Sequence, residues 1–155
     1  MLHVLHRQQY LKSDINTVWE LMRAPQNLSK ITPPYMGFQI LSDADDMKSM
    51  YPGQIIEYNV APILGIKINW VTEITHVVDL NYFVDEQRFG PYAFWHHKHF
   101  LEEVEGGVLM TDTVHYKLKW GWLGNIAHQL FVKKQLNSIF DYRFNTLEKM
   151  YNHGK

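Results

Sequence analysis

The residues of this chain best suited to chemistry lie in two neighbouring stretches, the run Trp95-His96-His97-Lys98-His99-Phe100 and the segment 108–120. Read as a strand, the second alternates Val108, Met110, Asp112, Val114, Tyr116, Leu118 and Trp120 on one face against Leu109, Thr111, Thr113, His115, Lys117 and Lys119 on the other. The first set is the inner face, and Asp112 is its one carboxylate. An ionised group among apolar neighbours needs a partner, because burying it unpaired is costly. A hairpin supplies one. A two-residue loop at Glu105-Gly106 sets His99 directly opposite Asp112, with Trp95, His97 and Leu101 on the same face, and a loop at Gly106-Gly107 keeps that face. A three-residue loop would instead turn Phe94, His96, Lys98 and Phe100 inward.

Two histidines spaced i, i+2 beside a carboxylate admit three readings. Hydrogen-bonded to Asp112, they can line the polar end of a cavity and fix a ligand's carbonyl or hydroxyl group. They can be structural histidines, or they can hold a metal given a further ligand. A lone H-x-H on a strand is a weak metal signal, so no metal set is assigned and no cofactor is expected. In an enzyme of cyclase, dehydratase or hydrolase type, His97 or His99, oriented by Asp112, would move a proton. Asp85 and Gln87, in FVDEQRF, depend on the Gly90-Pro91 connection: a tight turn faces them away from His97 and His99, and a bulge brings them inside. Gln87 is kept as a pocket candidate.

These strands need a cover. The stretch 122–151 contains no proline and is the one long helix on offer. From Leu136 onward, Leu136, Ile139, Phe140, Phe144, Leu147 and Tyr151 form one apolar stripe, and Arg143 falls inside it. That arginine either snorkels to the edge or reaches Asp112, Asp85 or a ligand's acidic group. Leu123, Ile126, Ala127 and Leu130 point to roughly the opposite side, which predicts a break or kink near 131–134. The displaced first turns could gate a pocket mouth, form a homodimer contact, or tuck under the loops.

The remaining chain reads as strands and turns. A first strand over 2–12 precedes a helix capped by Ser13 or Asp14, with Ile15, Val18, Trp19 and Met22 at helical spacing. Pro25 opens a second short helix through Leu28, and Pro33-Pro34 stops it. Strands follow at about 36–42, 54–61, 65–77, 81–89, 92–104 and 108–119, separated by turn residues, as in an antiparallel meander. In the third of these, Ile66, Ile68, Trp70 and Ile74 form the inner face. The predicted architecture is α+β: a curved seven-stranded antiparallel sheet wrapped around the C-terminal helix, in a single domain over 1–155.

Composition narrows the function. Zero cysteines exclude thiolate metal sites, iron–sulfur clusters and a thiol nucleophile, and fit a cytoplasmic protein. A net charge of -1 with scattered Lys and Arg offers no footprint for nucleic acid, and no apolar run could span a bilayer. Aromatic residues at 14% favour a lined cavity or an interaction surface.

The order of elements, with FVDEQRFGPYAFWHHKHF, TDTVHY and GWLGNIAHQLFVKKQLNSIFDYR, resembles a bacterial branch of the SRPBCC superfamily. The likeness rests on G-P-Y, W-x-H-x-H, D-x-V-x-Y, L-G and F-x-Y-R and covers nearly the whole chain. It supports the two-residue hairpin. It implies the helix-grip fold shared with START lipid-transfer domains, birch-pollen-allergen proteins and polyketide cyclases, with a deep cavity between sheet and long helix that takes apolar or amphipathic small molecules. The superfamily includes carriers, cyclases and regulators, so the fold implies no single activity. The expectation is a binding or carrier protein whose ligand meets Trp95, His97, His99, Asp112, Tyr116, Arg143, Gln87, Trp70 and Phe140. The alternatives are an enzyme using His97, His99 and Asp112, or a protein-interaction module.

Overall fold

A computed structural model describes residues 1–43, 47, 49–63, 65–119 and 131–153. Seven strands form one antiparallel sheet: β1 (His3–Leu11), β2 (Gln39–Ile40), β3 (Gln54–Ile63), β4 (Ile66–Val78), β5 (Tyr82–Phe89), β6 (Tyr92–Val104) and β7 (Gly107–Leu118). From β2 to β7 the sheet is the expected meander, and β1 pairs along β7, giving the order β1-β7-β6-β5-β4-β3-β2. Helix α1 (Ile15–Met22) follows β1, and α2 (Lys133–Tyr151) ends the described chain.

Local chemistry sets these boundaries. Asp14 caps α1: the Thr17 backbone N–H donates to its carboxylate at 2.9 Å and the Thr17 hydroxyl at 2.7 Å, which holds the Asp14 carboxyl below its ordinary pKa. The helix buries Ile15, Val18, Trp19 and Met22. Pro25 opens a tight 3-10 turn over Pro25–Ile31. That turn ends before Pro33-Pro34 as expected, with Thr32 extended, but helical structure then resumes. Pro34 starts a second 3-10 turn (Pro34–Met36), because the N–H it lacks would be unbonded at that position anyway. Gly37 then leaves in the left-handed conformation at φ 53°, and the strand expected over 36–42 shrinks to Gln39–Ile40.

Two apolar cores result. One gathers Leu11, Val18, Trp19, Phe83, Met110 and Leu147 under α1, and the other gathers Trp70, Tyr92, Val114, Tyr116, Leu136 and Phe140. Along each inner face a polar residue separates them: Asp85 on β5, His97 and His99 on β6, Asp112 on β7 and Arg143 on α2. The two cores are divided by a polar belt.

On α2 the buried arc is Leu136, Phe140, Arg143 and Leu147. At 100° per residue, Phe144 lies roughly 70° from the centre of that arc, and it is 39% exposed rather than inside as expected. Ile66, expected inward, is 61% exposed at the hairpin end of β4. Phe131 and Val132 form a wider, π-type turn at the start of the described helix, inside the stretch where the sequence predicted a break. The displaced stripe Leu123, Ile126, Ala127 and Leu130 lies outside the described residues. Strand β1 ties α2 to the sheet: Gln9 Nε2 donates to the Phe144 carbonyl at 2.9 Å and to Glu148 at 3.0 Å, and Asn152 Nδ2 donates to the Tyr10 carbonyl at 2.8 Å.

Candidate functional site: a polar belt at the wall of a cavity

The β6–β7 hairpin turns through Glu105-Gly106, pairing Val104 with Gly107 and setting His99 opposite Asp112. This is the two-residue register. It turns His97 and His99 inward, where they are 4% and 5% exposed. On the other side, β5 meets β6 with Asp85 opposite His97 and Phe83 opposite His99. The register of this pair is one residue longer than a tight Gly90-Pro91 turn would give, so Asp85 faces the histidines. Bulges beside it, in the pairing of β4 with β5 and of β6 with β7, absorb the extra residues.

Gln87 explains how the irregular hairpin is held. Its amide NH2 donates to the Tyr92 carbonyl at 2.8 Å, and its amide oxygen accepts from the Tyr92 N–H at 3.1 Å. The side chain takes the place of a strand residue there. Gln87 is therefore a brace of the site and, contrary to expectation, does not line the cavity.

Each imidazole of the belt lies between the two aspartates. His97 Nε2 is 2.9 Å from Asp112 Oδ1 and His97 Nδ1 is 3.3 Å from Asp85 Oδ2. His99 Nε2 is 2.9 Å from Asp85 Oδ2 and His99 Nδ1 is 2.8 Å from Asp112 Oδ1, the last in an orientation too poor for a hydrogen bond. The two rings lie 3.7 Å apart and His99 stacks on Phe83 at 4.1 Å. Trp95 Nε1 donates to the other Asp85 oxygen at 3.3 Å. Arg143 places Nη1 3.6 Å from Asp112 Oδ1, while its Nε and Nη1 make no hydrogen bond among the described residues.

The ionisation of the belt follows from these contacts. Burial pushes the Asp112 carboxyl up, but the hydrogen bond from His97, the close approach of the His99 ring nitrogen and the charges of His99 and Arg143 outweigh it and hold Asp112 well below the usual carboxylate range. Asp85 is likewise lowered, its burial overcome by the charge and hydrogen bonds of His97 and His99. Burial alone would lower His97, but Asp85 and Asp112 raise it. Asp85, His97 and His99 each offer one donor atom, all within 4.8 Å of one another.

The belt forms part of the wall of a cavity of about 170 Å³ bounded by the sheet, α2 and the α1–3-10 segment. Its lining includes Trp70, Trp95, His97, His99, Phe140 and Arg143 from the expected set. The remaining walls are largely apolar, from Leu21, Leu28, Met36, Val60 and Ile139 among others. Asp112 stands behind the histidines rather than in the cavity wall, and Tyr116 packs in the core against Tyr92 and Trp95. Asp85 lines the cavity, a placement the sequence left open because it hinged on a bulge. Tyr58, also lining, bonds Thr72 at 3.2 Å, and burial raises its phenol far above the ordinary range.

No protein-family model matches the chain, and no curated protein matches it. Solved structures do. Ginseng major latex-like protein 151 from Panax ginseng superposes with a TM-score of 0.69 at 14% identity, covering 97% of each chain. A START superfamily protein from Mycobacterium smegmatis gives 0.69 at 12% identity over 97% of this chain and 98% of its own. Ara h 8.0201 gives 0.62 at 15% identity over 96% of this chain and 99% of its own. The chain has the helix-grip fold that START-like and birch-pollen-allergen-like proteins of the SRPBCC superfamily share.

Proposed function

We propose that the protein, acting as one domain in the cytoplasm, binds or carries a small apolar or amphipathic molecule in this cavity, with any polar group of the ligand turned toward Asp85, His97, His99 and Arg143. The observation that carries the reading is a partly open, largely apolar cavity whose ionisable lining is gathered in one belt. A cavity of about 150 Å³ already accepts benzene, so a compact aromatic or a short aliphatic segment is in range of the space present. Trp70 adds a buried indole N–H with no acceptor among the described residues, a second polar point for such a ligand. No helix among the described residues is long and apolar enough to cross a membrane.

Native mass spectrometry of protein taken directly from cells, together with titration of an environment-sensitive apolar dye, tests the proposal. Ile139→Trp places an indole in the cavity from the partly buried flank of α2 and should weaken dye binding at least tenfold. A folded Ile139→Trp protein with unchanged dye affinity, and no co-purified small molecule in the wild type, would overturn it.

Two imidazoles and the Asp85 carboxylate at the cavity wall, with Asp112 behind them, also favour a second reading, an enzyme in which His97 or His99 moves a proton. Turnover lost in His99→Gln while ligand affinity is retained would promote that reading over simple carriage.

A further inference from the structure

The arrangement of the belt goes beyond a polar lining. Each imidazole turns one nitrogen back to the same oxygen of Asp112, and the other nitrogen toward the same oxygen of Asp85. We propose that His97 Nδ1, His99 Nε2 and Asp85 Oδ2 form a binding site for one divalent transition-metal ion at the wall of the cavity, braced from behind by Asp112.

Distances, bracing and donor type support the site independently. The two histidine nitrogens stand 3.3 and 2.9 Å from Asp85 Oδ2. Ligands bound at about 2.0–2.2 Å with near-octahedral or tetrahedral angles lie about 3–3.5 Å from one another, so both carboxylate–histidine spacings already match, and the two histidine nitrogens, which lie within 4.8 Å of one another, close on the ion when it binds. Histidine ligands characteristically give their other ring nitrogen to a carboxylate, which fixes the tautomer and aims the lone pair. Asp112, 2% exposed, stands in that position for His97, and it lies 2.8 Å from His99 Nδ1 without a formed hydrogen bond. Asp85 is aimed in the same way: Trp95 Nε1 holds Oδ1 at 3.3 Å and leaves Oδ2 for the ion.

The donor set also selects. Two imidazoles and one carboxylate suit zinc, ferrous iron or cobalt and disfavour calcium and magnesium, which take oxygen ligands. Three protein donors leave further coordination positions, and all three ligand residues line the cavity. Sequence alone assigns no metal set, because a lone H-x-H on a strand is a weak signal and the one carboxylate it places beside the histidines is Asp112. The structure moves Asp112 behind them and brings Asp85 to the cavity side. This site does not require that the cavity take an organic ligand, so it stands or falls apart from the proposal above.

The test uses chelator-stripped full-length protein titrated with Co²⁺, followed by its visible ligand-field spectrum, and with Zn²⁺ in competition with a chromophoric chelator. One ion per chain is expected, with affinity reduced at least a hundredfold in Asp85→Ala and in His99→Ala. Asp112→Asn should retain the stoichiometry with affinity weakened about 10–100-fold. His96→Ala and His115→Ala, on the outer face of the sheet, should bind as the wild type does. If a ligand variant does not fold, X-ray absorption of the cobalt-loaded wild type decides, since two imidazoles must appear in its shell. Failure of the wild type to bind one ion, binding that survives folded Asp85→Ala and His99→Ala, or a shell without two imidazoles would each overturn the site.

Discussion

His99 and Asp112 face each other across the β6–β7 ladder, yet the well-formed hydrogen bond to Asp112 comes from His97, one inward position further along the strand. Asp112 thus gathers three cationic or donor groups, His97, His99 and Arg143, around one oxygen. Asp112→Ala leaves Arg143 without its counter-charge and the two histidines with Asp85 alone, in a buried setting, and should cost about 3–5 kcal/mol. Asp112→Asn keeps an acceptor and should cost less. Urea denaturation at neutral pH, with the slope checked for constancy, distinguishes the two.

Arg143 depends on the same carboxylate. It is 9% exposed, its guanidinium carbon lies over the Phe140 ring at 5.1 Å, and Asp112 is its closest counter-charge in the belt at 3.6 Å. Arg143→Met preserves much of the apolar stem and removes the charge. Alone it should destabilise the protein, because Asp112 loses one of its cations. Combined with Asp112→Asn the two costs should fall short of additivity by about 0.5–3 kcal/mol, the range for groups in direct contact. Additive costs in that double-mutant cycle would show that the 3.6 Å approach carries no energy.

The hairpin brace gives a sharper case. Gln87→Ala removes both bonds to the Tyr92 backbone and should cost about 1–3 kcal/mol, with faster amide exchange at Tyr92. Gln87→Glu retains an acceptor for the Tyr92 N–H but sets a carboxylate oxygen against the Tyr92 carbonyl, so it should not rescue. Gly90→Ala should act through the same bonds, since its Cβ would fall 2.5 Å from Gln87 Oε1. Gly90 also sits at φ 156°, where a side chain adds backbone strain of its own, so the Gln87→Ala and Gly90→Ala costs should fall short of additivity without merging into one.

This hairpin also marks where the sequence stops being readable. Strand order from β2 to β7 and the place of Arg143 within the apolar stripe follow from alternation, loop length and helical period, which are local signals. The register that pairs His99 with Asp112 hangs on loop length and is favoured by the family resemblance, and the choice between a snorkelling and a buried Arg143 is open in the sequence. Asp85 and Gln87 hinge instead on extra residues distributed among three strands, and a bulge has no composition of its own. The division of labour on one face was hidden for a related reason. Alternation shows that Asp112 and Tyr116 point inward, but not that the histidines stand between Asp112 and the cavity or that Tyr116 is covered by Tyr92 and Trp95.

On the outer face, His115 lies opposite His96 and near Lys98. Partial burial, helped by the charges of Lys98 and His96, lowers its pKa below the usual 6.5. Between its folded and unfolded values the unfolded chain binds more protons, so the contribution of this group to stability rises with pH and is lost as pH falls. A histidine-resolved NMR titration should show His115 with a midpoint below 6.5 that moves up in Lys98→Ala. An unchanged midpoint in that variant would leave burial as the cause.

The belt can meet α2 only if β1 closes the sheet edge tightly, and Gly107 is the place where this is most exposed to test. A Cβ there would lie 2.3 Å from the Leu11 carbonyl oxygen and 2.9 Å from the Tyr10 ring. The first obstacle is backbone on the neighbouring strand, which cannot rotate aside as a side chain can. Gly107→Ala must therefore push the ends of β1 and β7 apart, at a cost of about 1–3 kcal/mol. That displacement reaches α2 through the Tyr10 carbonyl, which accepts from Asn152, and through Lys12, whose N–H donates to Asn152 at 2.8 Å. Hydrogen exchange should accordingly show lost protection in β1 and in the last turns of α2 together. Loss confined to the β6–β7 turn would mean that β1 does not anchor the helix.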